Sequence, residues 1–176
     1  MTSARVVDDR LIVSAVNDTF SRANLAAVVR RVALDGTTVD ETSLAATVPP
    51  DRAVEIGTLK IPDDQTFFVI DAKETGGAAF DPAKRVVVMP RKPKAYDLPD
   101  AQVKLAAGGT AGTFVLSANK PAFFVKPEAS EFAGAFDDAS FLLLPGEERR
   151  IAFRSFDGRM PAATDVAVGH LVEASR

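Results

Sequence analysis

The sequence predicts an all-β protein built as two antiparallel β-sandwich modules in tandem. Three observations predict it. Short apolar runs recur about every ten residues with turn-forming residues between them, which is the rhythm of a sandwich. A stretch near the C-terminal end, Phe136 to Phe153, reads as strand, tight turn, strand. A proline-rich passage from Pro90 to Pro99 divides the chain into two parts.

The organising stretch is the second of these. Pro145 presets φ near −65° and Gly146 accepts positive φ, the pair that a type II turn requires. Before the turn lies a solid apolar block, Phe141 to Leu144. After it the pattern alternates, so Ile151 and Phe153 can face a core while Arg150 and Arg154 face water. The spacing predicts a hairpin.

From the start, a first strand is expected over Arg10–Val16, closed by Asn17-Asp18. The run from Asn24 to Leu34 is rich in alanine, which favours helix. Its β-branched Val28, Val29 and Val32, and the Asp35-Gly36 pair behind it, favour a strand and hairpin instead. Thr37–Val48 returns and stops at Pro49-Pro50. Strands follow at Ala53–Ile61, with an irregularity at Gly57, and at Thr66–Ala72. Glu74–Ala79 reads as a turn and Phe80–Met89 as a strand. Three prolines and several cations between Pro90 and Pro99 make an extended, stiff connector. The expected domains are therefore 1–89 and 90–176. In the second, strands are expected at Ala101–Ala106, Thr113–Ala118, Ala122–Val125, Phe132–Phe136, Phe141–Leu144, Ile151–Phe156 and Val166–Val172, with no helix.

Composition narrows the function. The chain has 176 residues, 47% of them apolar, and twelve Phe supply most of the aromatic area. Net charge is −3 and the pI is near 5.2, so nothing pulls it toward nucleic acid or an anionic membrane. Cysteine is absent, which excludes disulfides, thiolate metal sites and cysteine nucleophiles. No apolar run approaches the roughly 18–20 residues that span a bilayer. The N-terminal ten residues lack the apolar core of a signal peptide, and a bacterial cytoplasmic location is expected.

Each candidate for chemistry has a plainer reading. The acid doublets Asp8-Asp9, Asp63-Asp64, Asp137-Asp138 and Glu147-Glu148 cannot act as dyads on strands, because neighbours point to opposite faces. Turns and surface are expected, and calcium at Asp137 and Asp138 lacks a spaced third acid. His170, the lone histidine, is expected to be a partly buried structural residue, since one histidine without cysteine makes a poor zinc site. Gly108-Gly109-Thr110-Ala111-Gly112 leads into Thr113-Phe114-Val115-Leu116, a strand, so it reads as a hairpin turn and not a phosphate cradle. Arg91, Lys92 and Lys94 with Tyr96 form the one basic cluster. Nucleic-acid grooves interleave several aromatics with cations, so a linker docking between domains is the better reading. With no Trp and one Tyr, sugar platforms are scarce.

Two landmarks bring a family into view. Met89-Pro90-Arg91-Lys92-Pro93-Lys94-Ala95-Tyr96-Asp97-Leu98-Pro99-Asp100-Ala101-Gln102-Val103 resembles the inter-domain passage of β-mannosidases, within the family 2 glycoside hydrolases: Pro-Lys, then Leu-Pro-Asp, then an apolar strand. Phe136 to Glu147 is similar to that family's Phe-Ser-Asp-Asn-Tyr-Phe-Asp-Leu-Leu-Pro-Gly-Glu. Phe136, Asp138, Phe141, Leu143, Leu144, Pro145, Gly146 and Glu147 agree, while Asp137, Ala139, Ser140 and Leu142 depart. Upstream, Val16-Asn17-Asp18 and Leu34-Asp35-Gly36 resemble the preceding sandwich module.

The resemblance implies two immunoglobulin-like domains, the C-terminal accessory modules of a retaining β-mannosidase. Its two catalytic carboxylates would lie on an upstream (β/α)₈ barrel, and a barrel takes about 250 residues, more than this chain holds. No catalytic, cofactor-binding or metal residue is therefore expected here, substrate-binding residues are not assigned, and no cofactor is expected. The implied partner is the catalytic barrel in cis, with mannose-containing glycans reached through the parent enzyme. Two other readings stand beside it. One is a free-standing carbohydrate- or protein-binding sandwich. The other is a cell-surface sandwich pair, which would need export.

Overall fold

In the computed structural model, which describes residues 1–62, 65–75 and 85–174, the regular structure is almost all strand and every strand pairing is antiparallel. Two compact units form, Met1–Asp97 and Leu98–Arg176, each with its own apolar core.

The first unit holds β1 (Thr2–Val7), β2 (Arg10–Asn17), β3 (Ala23–Ala33), β4 (Thr38–Val48), β5 (Arg52–Lys60), β6 (Thr66–Glu74) and β7 (Val86–Val88). They form a sheet β1-β2-β5 and a sheet β4-β3-β6-β7. The alternation in β2 and β3 turns Leu11, Val13 and Ala15 from one sheet, and Leu25, Ala27, Val29, Phe68 and Ile70 from the other, into a single core. The Ala/Val run at 23–33 is thus a strand. Two β-sheet neighbours flank it, and pairing plus burial outweigh the helix propensity of alanine. The Asp35-Gly36 turn follows, with Gly36 at φ 96° and the Asp35 carboxylate accepting from the Thr37 amide at 2.8 Å. β1 was not anticipated. It exists because Asp8 takes a left-handed conformation, φ 53°, which Asp tolerates, and folds Val7 back opposite Arg10. The irregularity expected at Gly57 is a register shift between β2 and β5. A Cβ at Gly57 would lie 2.8 Å from the Leu44 methyls, so a larger residue there requires the Leu44 side chain to shift. The expected turn at Glu74–Ala79 lies mostly outside the described residues, as do Asp63-Asp64 and the first part of the expected strand Phe80–Met89. The rest of that strand is β7.

The second unit holds β8 (Val103–Ala107), β9 (Thr113–Ala118), β10 (Ala122–Glu128), β11 (Gly134–Phe136), β12 (Phe141–Leu143), β13 (Glu148–Ser155) and β14 (Ala167–Gly169). Its sheets are β11-β13-β9-β8 and β12-β10-β14. Here the organising stretch departs from expectation. Gly146 has φ 79° and the Glu147 amide reaches the Leu144 carbonyl at 3.2 Å, so the tight turn is there. It joins no hairpin: β12 pairs with β10, and β13 pairs with β9 and β11. The turn carries the chain from one sheet to the other. Leu143 on one side and Ile151 and Phe153 on the other then meet in the same core. Phe136 stands edge-on to Phe114 at 5.9 Å and to Phe153 at 5.2 Å, and Phe132 is edge-on to Phe153 at 6.5 Å.

Two further corrections concern ends. The last strand stops at Gly169, and a four-residue helix, α1 (Leu171–Ala174), replaces its expected continuation. The domain division falls at 97/98 and not at 89/90. Its physical reason is a set of bonds holding residues 91–97 to the start of β6. The buried Tyr96 hydroxyl donates to the Thr66 carbonyl at 3.2 Å and lies 3.3 Å from the Arg91 amide. The Gln65 side chain donates to the Ala95 carbonyl and accepts from the Asp97 amide at 2.9 Å. The connector is not extended throughout either, because Pro93–Ala95 forms a single 3-10 turn.

Candidate functional site

The residues singled out for chemistry are spread across both units. Asp8-Asp9 makes the β1–β2 turn. Asp137 accepts from the Ala152 amide at 2.8 Å. Asp138 is paired with Arg149, whose Nε lies 2.8 Å from it and whose guanidinium stands 5.4 Å over the Phe141 ring. Two landmark residues, Asp138 and Phe141, are thus joined through one arginine, and the carboxylate serves the fold. His170 is 5% exposed, with Nε2 3.0 Å from the Ala101 carbonyl. A carbonyl only accepts, so that nitrogen carries hydrogen and the ring closes the sandwich as a structural donor. The Gly108–Gly112 segment is the β8–β9 turn. Among the described residues no three potential metal ligands gather, and no helix is long and apolar enough to cross a membrane.

Two charged assemblies remain in the first unit. Asp71 on β6 accepts from Arg30 on β3 and from Arg85 Nε at 2.8 Å. Its neighbour Ile70 faces the core, so this node lies on the opposite face of the sheet. An open cleft of about 260 Å³ is lined by Val29, Arg31, Asp40, Thr42, Leu59, Lys60 and Phe68. Asp40 is its single carboxylate, whereas retaining glycoside hydrolysis takes two about 5 Å apart.

The most constructed polar site lies at Asn17, where the sequence predicts the close of a strand. Asn17, last residue of β2, is 4% exposed. Its Nδ2 donates to the carbonyls of Ser21 at 2.8 Å, Val48 at 3.1 Å and Pro49 at 3.0 Å. Its Oδ1 accepts from the Thr19 amide at 3.1 Å and from the Thr19 hydroxyl at 2.7 Å. The Thr19 carbonyl in turn accepts from the Asp51 amide at 3.3 Å. One side chain therefore clasps the β2–β3 turn to the end of β4. Phe20, at the tip of that turn, has 102% relative exposure, while Pro49 and Pro50 beside it are exposed too. Met1 lies at the same end, exchanging two backbone bonds with Val16 at 2.8 and 2.7 Å. The signal for this site was Val16-Asn17-Asp18, a landmark whose bonding partners in β4 no local pattern reveals.

With the geometry in hand, comparison with known proteins is informative. Residues 98–172 match the family model Ig_mannosidase, described as an Ig-fold domain. The second unit is thus similar in sequence to the Ig_mannosidase family over residues 98–172. The match opens at Leu98, the first residue of that unit. Solved structures extend the likeness in fold to the first unit. A β-D-mannosidase from Dictyoglomus thermophilum aligns over 97% of this chain and 21% of its own, with 14% identity and a TM-score of 0.73. An exo-chitosanase from Amycolatopsis orientalis aligns over 96% of this chain and 25% of its own, with 15% identity and a TM-score of 0.52. The chain spans about a fifth to a quarter of the length of these structures. No curated protein matches by sequence.

Proposed function

We propose that this chain is the non-catalytic C-terminal accessory region of a β-mannosidase-like family 2 glycoside hydrolase, two immunoglobulin-like modules that pack on and stabilise a catalytic (β/α)₈ barrel joined upstream. The observation that carries the reading is the match of the Ig_mannosidase family model to residues 98–172 of the second unit, directly behind a first sandwich. The two units in that order follow the fold of the Dictyoglomus thermophilum β-D-mannosidase over 97% of this chain.

Two measurements test this. The isolated chain, assayed with an aryl β-mannoside, is expected to give no turnover, and measurable turnover would overturn the non-catalytic role. The reading frame that contains the chain is expected to encode a (β/α)₈ barrel ahead of residue 1, with two carboxylates at strand ends. A frame without one would leave a free-standing binding sandwich, to be pursued by titrating mannose oligosaccharides.

A further inference from the structure

We propose that the Asn17-clasped end of the first unit, with Phe20 at its tip, is the surface on which the catalytic barrel seats; the inference rests on the accessory role argued above. Three observations carry it. The first is the exposure of Phe20, whose ring contributes nothing visible to its own unit. A phenylalanine held entirely in water is the kind of aromatic anchor that fills a partner's pocket and dominates an interface.

The second is preorganisation. Turns that present side chains to solvent are commonly mobile, but this one is fixed. Asn17 bonds it at Thr19 and Ser21, and the Thr19 carbonyl ties it to Asp51. An anchor already held in place loses little conformational freedom on docking. Pro49, held by Asn17, and Pro50 are exposed and stiff at the same end, with exposed Asp18, Arg22, Asp51 and Arg52 flanking in sequence.

The third is chain geometry, which selects the occupant. Residue 1 is bonded to Val16, one residue from Asn17. Any domain joined ahead of residue 1 by a short link therefore arrives at the end of the unit where β2 closes and the Phe20 turn begins. In the proposed enzyme that domain is the barrel, whose outer ring is made of helices.

The test compares amide hydrogen exchange at Thr19, Ser21 and Asp51 in this chain with the same amides in the full product of its reading frame. Exchange at least tenfold slower in the full protein is expected, with the protection lost in Phe20→Asp. In the isolated chain Phe20→Asp should leave the unfolding midpoint unchanged, because the ring packs on nothing there. Equal exchange in the two proteins, with a barrel present, overturns this surface and leaves the accessory role standing. A midpoint lowered by Phe20→Asp in the isolated chain also overturns it, since the ring would then be part of the unit's own packing. A frame that encodes no barrel overturns both.

Discussion

Replacing Asn17 with alanine would test whether one polar side chain governs a whole end of the first unit. The Val48 carbonyl it serves is buried, and an orphaned buried acceptor costs about 1–3 kcal/mol. The Ser21, Pro49 and Thr19 bonds are partly buried, so water can replace some of them and each adds only about 0.5–1 kcal/mol. A total loss of about 3 kcal/mol is expected. For a unit of this size that lowers Tm by about 15 °C. Asn17→Asp sharpens the test. It keeps both acceptor bonds to Thr19 but turns a donor into an acceptor facing three carbonyl oxygens, so it should cost at least as much as alanine. Thermal unfolding by circular dichroism, with amide exchange at Thr19 and Asp51, reads both variants. An alanine variant within about 1 kcal/mol of the parent, or an aspartate variant as stable as asparagine, would refute the donor role assigned to Nδ2.

Other expectations follow from single features. A Cβ at Gly134 would collide with the Phe153 ring and the Arg154 carbonyl, so Gly134→Ala should break the β11–β13 pairing and cost about 3 kcal/mol, read by urea unfolding; a neutral result would mean that β11 pairs elsewhere. Tyr96→Phe removes the hydroxyl bonded to Thr66 and should cost about 1 kcal/mol, with faster exchange over residues 91–97; unchanged exchange would detach the connector from the first unit. The amide of Thr37 holds the Asp35 carboxyl below the usual carboxylate range, and the amide of Arg159 does the same for Asp157. Because the folded values are depressed, the stabilisation from both is complete above the unfolded value of about 3.9 and is lost as pH falls through the folded values. Carbon-detected titration should show both midpoints below that value, and a midpoint at or above it would contradict the turn geometry.

Much of the fold was legible because burial writes a period of two into the chain. Leu11, Val13 and Ala15 announce a half-buried strand, and Asp35-Gly36 announces its hairpin. The same alternation does not say which sheet a strand joins. Leu143, Ile151 and Phe153 all point inward, and Pro145-Gly146 suits a tight turn in either topology, so the crossing between sheets could not be read locally. β1 was missed because Thr2-Ser3-Ala4-Arg5 is a weak strand signal that becomes a strand only through pairing with β2. The connector looked like a linker by composition, yet its fate depends on Tyr96 finding a carbonyl thirty residues earlier. The Asn17 site was hidden for the same reason. An asparagine at a strand end reads as a turn former, and its partners in β4 are distant in sequence.

The sheet orders carry a consequence for solubility. A sandwich with open edges offers unpaired backbone groups to any passing strand, which is the route to edge-to-edge aggregation. Among the described residues, each edge strand longer than three residues carries charge: Arg5 on β1, Asp40 and Glu41 on β4, Arg52, Glu55 and Lys60 on β5, and Lys104 on β8. The uncharged edges, β7, β11, β12 and β14, are three residues each, too short to template a partner. On β8 a single lysine does this work within Val103-Lys104-Leu105-Ala106-Ala107, and without it the strand would be a five-residue apolar edge open to any other chain.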